Sequence, residues 1–179
     1  MAKPLSAYSL DDLKKLAANF RRLGVNVGPH FTLADVMREI DRQEHGEFTI
    51  DGLMELISKR AVADPKRLIS YKEIYLAVNG SPPEKGFIGQ HWSKPITDKL
   101  EQLSEYCHLN GWPLVSILVV ADAIHPDGTR QLGPVAKRVF YDDWHERYDI
   151  KAANAGSWCA QMTERAMEFV RANKGDLAA

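Results

Sequence analysis

Apolar residues recur at helical spacing three times in the first third of the chain. Leu10, Leu13, Leu16, Ala17 and Phe20 form one stripe, Leu33, Val36, Met37 and Ile40 a second, and Ile50, Leu53, Leu56 and Ile57 a third. Each begins after a residue suited to cap a helix, because a short side-chain oxygen can accept one of the free N–H groups of the first turn. Ser9 precedes Asp11 and Asp12, Thr32 stands three residues before Asp35, and Thr49 opens the third stripe, while Gly24 ends the first. Residues 8 to 61 therefore predict three short amphipathic helices. Such helices are marginal alone and must pack on each other or on the remainder of the chain.

After Asp64-Pro65 the texture changes. Ser70 and Glu73 form the two ends of a capping box ahead of Ile74, and Asn79-Gly80-Ser81-Pro82-Pro83 breaks that helix. Ile96, Leu100, Leu103 and Cys107 share one face of a longer helix that ends near Asn110-Gly111. The run Leu114 to Val120 is rich in β-branched residues and short, so it predicts a central strand. His125-Pro126-Asp127-Gly128 reads as a turn after it, compatible with a hairpin or wing. Residues 134 to 148 read as helical, and Ser157 to Asn173 carry Cys159, Met162, Ala166, Phe169 and Val170 on one side of a last helix.

Composition narrows the functional classes. With 23 basic and 24 acidic residues the formal net charge is -1, so no global field draws the chain to nucleic acid or anionic lipid, and any such site is a local patch. The same balance excludes an acidic mimic of DNA. The longest apolar run, Pro113 to Ala121, is far short of the roughly 20 residues a spanning helix needs. Two cysteines without CxxC spacing, and an N-terminus without an apolar signal core, give the expectation of a cytoplasmic protein with buried, reduced thiols.

The order of pieces from Leu68 to Gly128 resembles the C-terminal winged-helix domain of the alkylguanine-DNA alkyltransferases and their alkyltransferase-like relatives. Ile69-Ser70-Tyr71-Lys72-Glu73-Ile74 is similar to the family's Thr-Tyr-Gly-x-(Ile/Leu) helix start, and Phe87-Ile88-Gly89 to its Ala-Val-Gly. Trp112-Pro113-Leu114 leading to Val119-Val120, then Asp127-Gly128, is similar to its Pro-rich segment, Val-Val and Gly. Where the family has the Pro-Cys-His-Arg nucleophile this chain has Ser116-Ile117-Leu118, so alkyl transfer is not implied. Gly86, with Lys85 before it, stands where the family's duplex-invading arginine would be, which leaves base flipping without its wedge. The resemblance implies a winged-helix shape that touches DNA. The expected fold is then α+β: an N-terminal three-helix module (1–63), a winged-helix-like α+β domain with a short central strand or hairpin (64–150), and a C-terminal helix packing on the core (151–179).

Among chemical candidates, Cys107-His108 is the first, but adjacent helix positions diverge by about 100°, and Cys107 shares the apolar face of Leu103, so the core reading is preferred. Six histidines raise a metal reading without HExxH or paired Cys/His spacing; Asp122, His125 and Asp127 would be the ligands to test for metal-assisted phosphodiester hydrolysis. No catalytic residue, metal or cofactor is assigned. Between Lys66 and Lys99, Lys66, Arg67, Lys72, Lys85, Lys94 and Lys99 interleave with Tyr71, Tyr75, Phe87, His91 and Trp92, diluted by Glu73, Glu84 and Asp98 within it and Asp64 just before it. The candidate nucleic-acid or partner surface is Tyr71, Lys72, Lys85, His91, Trp92 and Lys94. The leading function is a non-enzymatic DNA-binding or nucleoprotein-associated protein. The alternatives are a protein-interaction module, as inhibitor or adaptor, and a metal-dependent hydrolase or nuclease. No membrane partner is expected.

Overall fold

The computed structural model describes residues 3–45, 48–66, 68–81, 94–120 and 129–173. Among them lie seven α-helices and one small sheet, an α+β arrangement. The helices are α1 (Leu10–Leu23), α2 (Leu33–His45), α3 (Ile50–Ala63), α4 (Tyr71–Asn79), α5 (Lys94–Leu109), α6 (Pro134–Trp144) and α7 (Ala155–Ala172). The strands are β1 (Ile69–Ser70) and β2 (Val119–Val120).

The capping residues act as their chemistry requires. Ser9, Thr49 and Ser70 accept the N–H of Asp12, Gly52 and Glu73. Asp35 replaces the usual longer acid in a box with Thr32, whose N–H it accepts at 3.1 Å while the Thr32 hydroxyl accepts the Asp35 N–H. Gly24 and Gly80 close α1 and α4 at φ of 64° and 69°, the left-handed region a side chain resists.

Two hydrophobic cores result. Leu13, Ala17 and Phe20 of α1 close on Leu33, Val36 and Met37 of α2, making a small helical hairpin. The main core gathers Leu53, Met54 and Ile57 of α3, Leu103 and Cys107 of α5, and Trp158, Met162 and Ala166 of α7 around the fully buried run Leu114 to Val120.

That run is extended only at its end, where the sequence predicts a strand over Leu114 to Val120. Val115–Leu118 is a turn of 3-10 helix, and only Val119–Val120 extends. The run is apolar at nearly every position, so it lacks the alternation that separates a strand from other buried structure, and it is enclosed by α3, α5 and α7. Its partner is parallel: Ile69 pairs with Val119 and Ser70 with Val120. A hairpin would have required an antiparallel neighbour. The turn at 125–128, and any wing formed there, lie outside the described residues. No described helix is long and apolar enough to cross a membrane.

Candidate functional site

The start of α4 is the most heavily braced point near the predicted surface. Ser70 closes β1 and caps α4, and the Glu73 carboxylate accepts the Ser70 N–H at 2.9 Å. Arg60 of α3 donates to the same carboxylate at 3.3 Å, and Arg130, itself 4% exposed, donates to it and to the Leu68 carbonyl. Burial alone would raise the Glu73 pKa, but the Ser70 N–H and the Arg130 guanidinium outweigh it and hold the carboxyl below its ordinary range. One acid thus ties α3, β1, α4 and the segment before α6 together.

Tyr71 is half-buried and shares a hydrogen bond with Thr97 in the first turns of α5. Burial pushes its phenol pKa up. It therefore brings the beginnings of α4 and α5 side by side instead of offering an exposed ring. Lys72, next along the chain, is exposed. Lys94 is exposed too, but its ammonium lies 2.9 and 3.0 Å from the Asp98 carboxylate, whose hydrogen bond and charge raise its pKa. Lys85, His91 and Trp92 lie outside the described residues.

Lys99, counted in the basic stretch from sequence, leaves it altogether. It is 2% exposed and ion-paired with Asp41, which also accepts the Ile50 N–H at 2.6 Å. The pair joins α5 to α2 and to the start of α3. Helical spacing contained the signal: Lys99 stands three residues after Ile96 and four before Leu103, on the buried face.

Neither cysteine is poised as a nucleophile. Cys107 is fully buried, and desolvation pushes its thiol up to about 12. His108 faces away from it, packing its ring edgewise against Trp144 at 5.9 Å and Tyr148 at 5.6 Å. Cys159 is a buried free thiol, raised by burial, that donates to the Lys137 carbonyl at 3.4 Å. Ser116, Ile117 and Leu118 are enclosed, and the Ser116 and Ser104 hydroxyls lie 2.6 Å apart.

Asp122, His125 and Asp127 lie outside the described residues. Among the described ones no three His, Cys, Asp or Glu converge as metal ligands. Asp142 pairs with Arg138 at 3.4 Å, and the His145 ring stacks on Tyr141 at 4.2 Å. Trp158 is a core anchor and Trp112 and Trp144 pack against the core from its edge.

Sequence reasoning missed two apolar surfaces. Leu23 at the end of α1 with Val25 and Val27 after it form one, Val135 and Val139 on one face of α6 the other, and Leu76 and Val78 are exposed on α4 as well. It also missed the two arginines on Glu73, whose sequence positions give no hint of convergence. Comparison with family models, curated proteins and solved structures gives no match to this chain.

Proposed function

We propose that the chain is a non-enzymatic DNA-binding protein of alkyltransferase-like winged-helix type, contacting phosphates through the start of α4 and the segment after that helix. One observation carries the reading. The two pieces that bear the family resemblance, Ile69-Ser70 and Val119-Val120, are remote in sequence yet are hydrogen-bonded partners in one sheet. Their meeting supports the resemblance. The same segment speaks against alkyl transfer there, since Ser116-Ile117-Leu118 is closed to solvent and carries no thiol.

On this reading Lys72 and Lys85 supply non-specific phosphate contacts, Lys94 adds less because Asp98 competes for it, and Trp92 and His91 supply aromatic surface. The test is an electrophoretic shift with duplex DNA across a salt series. Binding should weaken steeply with salt, and Lys72→Ala should lower the slope of log K against log salt by about one. No shift at low salt would sink the reading.

A second reading, docking on another protein, is favoured by the exposed apolar side chains, Val135 at 79% and Val27 at 72%. Under it, Val135→Asp would abolish partner capture and leave DNA binding untouched.

A further inference from the structure

A cleft of about 540 Å³ opens between α6, α7 and the segments around residues 66 and 130. One wall is a face of α7 built from Gly156, Cys159, Ala160, Thr163, Glu164 and Met167, whose spacing repeats every three or four residues. The opposite wall is fixed by the backbone, because the Arg130 N–H donates to the Lys66 carbonyl at 3.1 Å. The Cys159 thiol on the Lys137 carbonyl fastens α6 to α7 at the closed side. Leu68, Leu132 and Met167 supply apolar lining.

The charges on this cleft are unequal. Lys66 and Lys137 line it and neither forms an ion pair with a described residue, while Glu164 is the one carboxylate in the lining. Arg130 also lines the cleft, with its guanidinium engaged by Glu73 and the Leu68 carbonyl. The Thr163 hydroxyl donates its proton to the Cys159 carbonyl at 2.7 Å, so it can accept but not donate toward the cleft. Lys66 and Lys137 are the charged donors on the lining, with the Gln131 amide beside them. A pocket of this size with an apolar lining and a few charged groups suits a small molecule better than a flat macromolecular face.

We propose that this cleft binds a small organic anion: one acidic group held by Lys66 and Lys137, on an apolar body lying against Leu68, Leu132 and Met167. The site is separate from the DNA reading and stands or falls without it.

The probe is anilinonaphthalenesulfonate, an aromatic body with one anionic group, titrated into the folded full chain by fluorescence, with decanoate and decanol as competitors. Saturable binding to one site is expected, displaced by decanoate and not by decanol. The double variant Lys66→Ala, Lys137→Ala should bind on the order of tenfold more weakly, since two partly exposed charge contacts are lost. Ala160→Trp, at an exposed position in the lining, should block binding by filling the space. Near-ultraviolet circular dichroism matching the wild type establishes that each variant is folded. Absence of saturable binding, equal displacement by decanol, or unchanged affinity in the double-lysine variant would each overturn the proposal.

Discussion

Lys99 and Asp41 meet where neither can be hydrated, so each depends on the other to remain charged at tolerable cost. Replacing Lys99 by Met leaves the Asp41 carboxylate buried without its cation. Unfolding by urea should then show a loss of about 3–5 kcal/mol. The double variant Asp41→Asn, Lys99→Met should recover most of that loss, because the amide oxygen can still accept the Ile50 N–H and no lone charge remains. A double variant as unstable as the single one would contradict this account. The cysteines give a second residue-scale prediction. With the Cys107 thiol buried and raised to about 12, Ellman's reagent at neutral pH should modify it only at the rate of global opening. Modification of Cys107 within seconds in the native state would contradict the burial.

At the scale of elements, the helices were legible because their ends are written in local chemistry. Ser9, Thr49, Ser70, Gly24 and Gly80 each act through groups within four residues of themselves, which a sequence displays directly. The sheet was not legible. Ile69-Ser70 reads as the approach to a helix, and Leu114 to Val120 is apolar almost throughout, so neither announces its partner. The surface was half legible for a related reason: Lys72 is exposed as expected, but Lys99 is turned inward by the periodicity of α5. The α4 cap yields a prediction in pH. Glu73 has a lowered pKa in the folded protein, so it binds protons less readily there than in the unfolded chain. Its stabilising contribution is therefore complete above the ordinary value of 4.5 and is lost as pH falls below that value through the folded one. Urea midpoints followed through this acid window should fall more steeply for the wild type than for Glu73→Gln. Equal slopes would show that the carboxylate is not the linked group. Loss of the cap in Ser70→Ala should cost at least about 1 kcal/mol at neutral pH.

For the whole molecule, the α1–α2 hairpin carries its own small core and reaches the rest through few side chains. Ala34 of α2 packs into the main core, Asp41 to Lys99 is a buried ion pair, Arg38 to Asp51 at 2.6 Å is a part-buried one, and Arg21 to Glu105 at 3.1 Å is an exposed one. Exposed pairs contribute about 0–1 kcal/mol, so Glu105→Gln should leave the unfolding midpoint nearly unchanged. Hydrogen exchange should report the same asymmetry: α1 amides open at lower free energy than those of α7, and Lys99→Met widens the gap.

The two-residue sheet has a kinetic side. Ile69 and Val119 can pair only after the chain between them, including α4 and α5, has been folded back on itself, so closure entropy is spent before the pairing returns anything. The pairing should therefore form late. Val119→Ala, which thins the pairing without removing it, is expected to accelerate unfolding while leaving the refolding arm of the chevron almost where it was. The sheet that brings the two distant motifs together would thus be the latch of the fold and not its seed.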